Sequence, residues 1–463
     1  MSKTPNHDIT PKTPQISRLI AEFAAGFPSD RIPARVRHEA NRALVNGIGA
    51  AFGAAQRAEL TVPLAVFAEI GWNGASGPHA IIGRSERLDL LSATFMNSVA
   101  INALDFDDTH LPTVIHPTAP IAPPLLALAE RGGITGRALL DAFVIGVEVA
   151  CRLGNSISPG HYSRGFHITA TCGVIGAAAA AGRLLGLNPD QMIAALGSAA
   201  AQASGLVETL PSQAKSTGVG GASRNGLFAA LLAARGWTGP PHPIEGRFGF
   251  GAVMGERFDS VAIAGELGER WEVLKNNYKP YPCGVVLNPV LDACLELHAQ
   301  GVTAEQIAAV EVHGPSLLGE RTDRGVVSDG QSGRVSLHHS VAVAFVRGCA
   351  GVAEYTDEAA RDPAVQALAA KVKYVAEPVR RIESARVVVR TYAGAEQTLV
   401  VEWARGSSER PLSDADLEAK ARRLAADGAP SVRIDALIDA LWSLEQSSDA
   451  GNIVKLAAAP SPV

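Results

Sequence analysis

The densest run of chemically capable side chains is Asp105-Phe106-Asp107-Asp108-Thr109-His110, with His116-Pro117 close behind. Three carboxylates and two imidazoles within a dozen residues have the donor types of a divalent-cation site or of a proton-transfer set. Asp and Thr also cap helices and make turns, so the same run has a purely structural reading. His167 stands in Arg164-Gly165-Phe166-His167, just before an apolar helix. It is either a base with a pKa near neutrality or a hydrogen-bonding group at a helix start. Lys215 lies in Ser212–Gly218, read as a Gly-bearing loop ahead of a helix from Arg224, and Lys279 in the Pro-rich stretch Asn276–Gly284. A lysine is ordinarily a surface charge. In a loop stiffened by Gly or Pro it is also placed to hold a carboxylate as a point charge.

Other catalytic templates are missing. The chain has no G-x-S-x-G elbow, no GxxxxGK[ST] phosphate loop and no HExxH helix. Gly249-Phe250-Gly251 through Gly255 is a loose glycine pattern with no clear strand before it, which sets nucleotide binding aside. His338-His339 opens an apolar helix and reads as structural.

The elements that must position these groups are mostly helical. From Ile16 to about Arg235 apolar residues recur at helical spacing, as in Ile16, Leu19, Ile20 and Phe23, or Leu139, Leu140, Phe143, Val144 and Val147. Stops are legible at Gly26 before Pro28, at Gly132-Gly133, and at Gly186 ahead of Asn188-Pro189, so eight or nine helices are expected. Small residues such as Ala177–Gly182 and Ala199–Ala203 let helix axes approach closely. Near Trp271 the character changes. A Pro/Gly loop, a helix over about Leu287–Gln300 and a strand over Ala308–His313 follow. Two β-branched runs, Ala385–Arg390 and Thr398–Trp403, flank a turn at Ala393-Gly394 as in a hairpin. Helical spacing returns in Ala415–Ala426 and Ile434–Leu444. The expectation is a mainly α fold: a helical domain over 14–269, a smaller α+β domain over 270–405, a return to the helical domain over 406–463, and a disordered tail over 1–13.

With 463 residues, 47% hydrophobic and 19% charged, the chain has the balance of a globular enzyme with a large core. The formal net charge is -5 and no basic run stands out, which excludes a nucleic-acid binder of the usual kind. Cys151, Cys172, Cys283, Cys294 and Cys349 are scattered and form no CxxC pair, so neither a disulfide framework, a zinc knuckle nor an iron–sulfur cluster is expected. That usage fits a reducing, cytoplasmic setting. Met1–Thr13 has no apolar h-region of a signal peptide. The smoothest stretches, Phe166–Gly182 and Met192–Val207, are too short and too weakly apolar to span a membrane.

Taken in order, Asp105–Thr109 with His116-Pro117, Gly165-Phe166-His167, Ala214-Lys215 and Lys279-Pro280-Tyr281-Pro282-Cys283 resemble the MmgE/PrpD family, which includes 2-methylcitrate dehydratase, cis-aconitate decarboxylase and iminodisuccinate epimerase. The likeness runs from about Ile16 to Leu444. It implies an all-helical domain built from both ends of the chain, an inserted α+β lid, a homodimer, and no metal or organic cofactor. Carried over position by position, it implies a site of Asp105, Thr109, His116, His167, Lys215 and Lys279. In that site His116 and His167 form the acid/base pair and Asp105 orients or tunes one of them. Thr109 hydrogen-bonds the substrate. The two lysines neutralise substrate carboxylates and stabilise a developing aci-carboxylate. Magnesium on Asp107 and Asp108 becomes the weaker reading.

Two segments depart from the family pattern. After the KPYPC stretch, where relatives often carry an Arg and a His, this chain reads Gly284-Val285-Val286-Leu287-Asn288. After Lys215, where a Pro and a His are common, it reads Ser216-Thr217-Gly218. A carboxylate buried without a partner is costly, so a substrate with fewer carboxylates than methylcitrate, or a different shape, is expected. The reaction expected is that of a cofactor-independent lyase, a dehydratase or decarboxylase, acting on a small di- or tricarboxylate. An epimerase or isomerase on the same groups is the alternative. A non-catalytic helical binding protein is a second alternative, against which the presence of His116, His167, Lys215 and Lys279 together argues. Small carboxylates are the expected partners, with neither nucleic acid nor membrane.

Overall fold

Ile16, Ile20 and Phe23 are buried along one side of the first helix, and Leu139, Leu140, Phe143, Val144 and Val147 are sealed inside another. The helical spacing in the sequence thus marks faces that do pack inward. The computed structural model describes residues 15–70 and 77–460; the tail expected over 1–13 lies outside the described residues. Among the described residues, nine helices of eleven residues or more fill the stretch to Ala234: α1 (Ile16–Gly26), α2 (Ala34–Ala54), α3 (Ala58–Glu69), α4 (Leu90–Asn102), α5 (Thr118–Ala129), α6 (Gly136–Ile157), α7 (Ile168–Leu184), α8 (Pro189–Ala200) and α9 (Ala214–Ala234). Where sequence signals are strong the boundaries follow them. Asn188 caps α8 in a reciprocal box with Gln191, and Pro189 occupies its first turn.

Close helix approach depends on small residues. A Cβ on Gly146 of α6 would stand 2.7 Å from the Cβ of Ala180 and 2.9 Å from the Gly176 carbonyl oxygen of α7. No larger side chain fits there without separating the two helices. After the second half of the chain has been traversed, α12 (Asp414–Gly428) and α13 (Ile434–Trp442) return to pack on α2. They share one hydrophobic cluster with the N-terminal helices, and that cluster also takes in Trp271, Val273 and Tyr278.

A second apolar cluster runs from Cys283 to Val401. Its sheet is ordered β6-β5-β7-β8, with β5 (Ile307–Gly314) parallel to β6 (Val372–Ala376) and antiparallel to β7 (Ala385–Thr391), which pairs in turn with β8 (Glu396–Val401). The helices α10 (Asn288–Ala299) and α11 (Leu337–Arg347) contribute buried side chains to the same cluster. The β7–β8 hairpin matches the β-branched runs in the sequence, and Gly394 in its turn has φ +81°. The parallel strand β6 carries no clear alternation and escapes sequence reading. Two shorter ribbons complete the strands of the described residues: β1 (His79–Ala80) with β2 (Arg87–Leu88), and β3 (Asp108–His110) with β4 (Asn276–Tyr278). The second ribbon corrects two expectations, since both segments read as loops. Its antiparallel register sets Asp108 opposite Tyr278 and His110 opposite Asn276.

A third correction concerns Lys215. It sits on the first turn of α9 and not in a loop. Gly218, which suggested a break, lies inside this helix, where a Cβ would meet only that of Ala170 at 4.0 Å. Two residues on, Gly220 is there for packing, since a Cβ on it would meet Val99 and Phe95 of α4 at 2.8–2.9 Å. All five cysteines are free, and no helix among the described residues is long and apolar enough to cross a membrane.

Candidate active site

The ribbon of β3 and β4 does the assembling. It fastens the segment after α4 to the segment before Lys279, so residues 174 apart in sequence meet at one carboxylate. The Lys279 ammonium donates to Asp105 Oδ1 (2.8 Å) and to the Asp105 carbonyl (3.0 Å). From the first turn of α9 the Lys215 ammonium donates to the same Oδ1 at 2.7 Å. Asp105 itself has φ +52°, a left-handed conformation that Asp tolerates better than most residues. Burial pushes its carboxyl pKa up, but the two ammonium groups and His116 outweigh burial and hold it well below the usual carboxylate range.

His116 arrives by a different device. The turn from His110 to Ile115 is closed by a hydrogen bond from the His110 N–H to the Ile115 carbonyl (2.7 Å), and it forces Val114 to φ +55°. A β-branched residue in that region is strained, and such strain concentrates at functional sites. The His116 N–H donates to Thr169 Oγ1 on α7 (3.1 Å). Its ring Nδ1 stands 3.1 Å from Asp107 Oδ1, and Asp107 Oδ2 accepts from Asn102 Nδ2 at 2.9 Å. Burial raises the Asp107 pKa, yet His116 brings it down to about 2, so the carboxylate is ionised at neutral pH. The contact is electrostatic, since Asp107 Oδ1 has no hydrogen-bond partner; an ionised carboxylate this close favours the proton on Nδ1, with Nε2 as the basic nitrogen. The Nε2 atom lies 3.8 Å from Asp105 Oδ1, beyond hydrogen-bond reach. Sequence reasoning gave the orienting role to Asp105; the contact that orients His116 comes from Asp107.

His167 is the N-cap residue of α7, its N–H held by the Gly205 carbonyl at 3.0 Å, and its ring makes no hydrogen bond among the described residues. Burial, then Lys215 and His116, lower its pKa to about 3. Burial likewise lowers that of His116. Both imidazoles are therefore neutral at pH 7. Thr109 Oγ1 is 3.5 Å from His116 Nδ1. Asp105, Thr109, His116, His167, Lys215 and Lys279 all line a single narrow cavity.

The same cavity is lined by Val285, Val286, Leu317 and Val335, with Arg321 and Gly284; Val286 belongs to the second apolar cluster, and Val285 and Leu317 pack against it. Of the positions that depart from the family pattern, Gly284 and Val285 reach this cavity, whereas Asn288 and Gly218 do not. Sequence reasoning missed Tyr162 and Arg321, which carry no motif, and Lys420. The Lys420 ammonium on α12 donates to the Phe106 carbonyl (2.7 Å), the Lys279 carbonyl (2.9 Å) and Asn46 Oδ1 (2.8 Å). It thereby ties together the two segments that bear Asp105 and Lys279.

Neighbouring polar groups have other duties. Asp108 Oδ2 accepts from Thr118 Oγ1 and Asn276 Nδ2, both at 2.8 Å, and burial with the Asp107 charge raises the Asp108 pKa to about 7. His110 is sealed between Thr113 and Glu272. Donor atoms of Asp105, Asp107 and His116 lie within 4.8 Å of one another, as in a cation site. Two ammonium groups already occupy Asp105 Oδ1, however, and would repel a cation placed there. The arrangement suits an anionic ligand and proton transfer.

Comparisons with known proteins bear on which ligand. The chain is 26% identical to the cis-aconitate decarboxylase-like protein oryM of Aspergillus oryzae, covering 97% of this chain and 98% of that protein. It is 28% identical to human cis-aconitate decarboxylase, covering 81% of each. Against cis-aconitate decarboxylase of Aspergillus terreus the identity is 26%, with 96% of each covered. Family models match across both apolar clusters, the MmgE/PrpD N-terminal domain over residues 18–261 and the MmgE/PrpD C-terminal domain over 281–444. With the ordered motifs folded onto one cavity and both halves of the family pattern present, the chain belongs to the MmgE/PrpD family.

Proposed function

We propose that this protein is a lyase that works without a cofactor and removes carbon dioxide or water from a small carboxylic acid, at the carbon next to a carboxylate. The observation that carries this reading is the convergence of two neutral imidazoles and two lysines on one cavity. The relatives named as cis-aconitate decarboxylases support the class of reaction.

The chemistry follows from the groups present. In water loss, His116 Nε2 takes the C–H proton and the electron pair moves into the adjacent carboxylate as an aci-carboxylate. The ammonium groups of Lys215 and Lys279 hold that charge. Hydroxide then leaves from the neighbouring carbon and takes the proton back from the imidazolium as water. In decarboxylation, a neutral imidazole first binds a proton from solvent; the C–C bond breaks, carbon dioxide leaves, and the electron pair left on carbon takes that proton, returning the imidazole to its neutral form. Thr109 hydrogen-bonds the substrate, and Asp107 keeps His116 in the working tautomer.

A lid role for the segment 270–405 belongs to the same proposal, supported by the cavity wall that Val285, Leu317 and Arg321 contribute. So does a homodimer. The apolar side chains Val62, Val66 and Ile70, spaced four apart on or just beyond α3, are about half exposed and give a second copy apolar surface to cover. Two imidazoles on one cavity also favour a second reading, epimerisation by proton removal and return.

Incubation of the purified protein with cis-aconitate, 2-methylcitrate and citrate in deuterated buffer, followed by proton NMR, tests these readings. Loss of carbon dioxide or water from one of them, abolished in His116→Gln, is the expected result. Exchange of a C–H for deuterium without net product favours the epimerase. Neither turnover nor exchange with any of the three overturns the lyase proposal.

A further inference from the structure

Arg321 is the one cation lining the cavity that no carboxylate among the described residues neutralises. It projects from the short helix Ser316–Thr322 and lines the same cavity as the imidazoles. Its guanidinium carbon lies 4.1 Å over the Tyr162 ring, its Nη2 reaches the Tyr162 carbonyl only at 3.5 Å, and its Nε is buried with no acceptor. Stacking of this kind fixes the plane of the fork and leaves its N–H edge unfilled. A half-buried guanidinium with an unmet buried donor favours an incoming anion, because the ligand supplies what the protein withholds.

The charge balance of the lining points the same way. Lys215, Lys279 and Arg321 bring three positive charges and Asp105 one negative, a surplus of two. Asp107 is directed instead to His116 and Asn102, behind the cavity face. Two positive charges in excess are the complement of two carboxylates. The rest of the lining includes the apolar side chains Val285, Val286, Leu317 and Val335.

We propose that Arg321 is a specificity-determining residue that takes a second carboxylate of the substrate in a bidentate grip, while the lysine pair takes the carboxylate next to the reacting carbon. The site then selects acids bearing at least two carboxylates separated by a short hydrocarbon segment. The proposal rests on the carboxylate-lyase reading above and adds the second anchor. It also refines the expectation drawn from Gly284 and Val285: charge absent there is supplied from a helix 36 residues further along the chain.

Ligand-observed NMR titration with glutarate, butyrate and tricarballylate, on the full chain and on Arg321→Gln, tests it. Wild type is expected to bind glutarate more tightly than butyrate. In Arg321→Gln glutarate affinity should fall about 10- to 100-fold, the range for a charged hydrogen-bonding contact, with butyrate unchanged. Butyrate binding is the internal check that the variant cavity is intact. If Arg321→Gln loses butyrate too, Arg321→Lys decides, since it keeps the charge and loses the fork. Weakened glutarate with butyrate retained then supports the proposal, and glutarate at wild-type strength overturns it. Unchanged glutarate affinity in Arg321→Gln, or equal binding of glutarate and butyrate by wild type, overturns the role of Arg321 alone. Wild type that binds none of the three acids overturns the carboxylate-site reading itself.

Discussion

His116 is held at both ends of its function: the ring nitrogen that must stay protonated faces an ionised carboxylate, and the one that must react faces the cavity. Asp107→Asn keeps the shape but offers an amide in place of an anion, so the favoured tautomer is lost. We expect kcat to fall by roughly 10²–10⁴, by analogy with other Asp–His pairs, and thermal stability at neutral pH to fall as well, because the ionised carboxylate's contribution is removed. Steady-state kinetics alongside a thermal melt checks both halves. The pH profile follows from the same residues. Burial lowers both histidine pKa values, His167 to about 3, so the neutral bases persist below the usual histidine value. The acid limb of kcat/KM should therefore lie below that of an unperturbed imidazole; a limb at the unperturbed value would show an imidazole in contact with bulk water. Treatment with EDTA should leave turnover unchanged, because lysines hold Asp105 where a cation would have to sit. Asp105, Thr109, His116, His167, Lys215 and Lys279 were legible from the sequence as types and order. The partner of His116 was not, because three adjacent aspartates look alike until the backbone turns them in different directions. Arg321 was illegible for a related reason: one arginine among many, with no motif around it.

At the scale of elements, helices with a continuous apolar face and a marked stop could be read off the chain, as α6 and α8 show. Those whose reason for existing is a neighbour could not. The start of α9 is glycine-rich and reads as a loop until α4 lies against it. The β3–β4 ribbon is three residues per strand, shorter than any periodicity can announce, and it positions the site. Its support from α12 suggests a test. Lys420 is fully buried and bound to three oxygens, and burial, with Lys279 adding to it, holds its pKa well below the ordinary lysine range. Lys420→Met leaves the carbonyls of Phe106 and Lys279 without that donor. A loss of about 2–4 kcal/mol in unfolding free energy is expected, together with a lower kcat, measurable by denaturant titration and kinetics. By contrast Gly284→His should fold normally: φ is -55° there, and a Cβ would meet only the Arg334 carbonyl oxygen at 3.9 Å.

Across the whole molecule, buried ionisable groups set the response to acid, and they pull in opposite directions. His167, at about 3 when folded against 6.5 otherwise, withholds a proton that the unfolded chain accepts, so its contribution to stability is lost as pH falls from 6.5 toward 3. Asp107, at about 2 against 3.8, loses its contribution as pH falls below about 4. Asp108 and Glu148 are each raised to about 7 by burial. They take protons earlier in the folded state, and so gain stability as pH falls from 7 toward 4. The two sets partly cancel between pH 4 and 6.5. With two groups gaining where one loses, stability should rise modestly as pH falls from 6.5 to 4 and then drop below about pH 4, which denaturant midpoints at a series of pH values would show.

The bond from Lys420 to Asn46 joins residues 374 positions apart. A ribosome adding 5–20 residues each second needs roughly 20–75 s to cover that distance. Asp105, His116 and His167 are made within that interval and wait for the Lys420 ammonium that ties their segment to Lys279. A polypeptide stopped before Lys420 carries the candidate reactive groups without the contact that pins them.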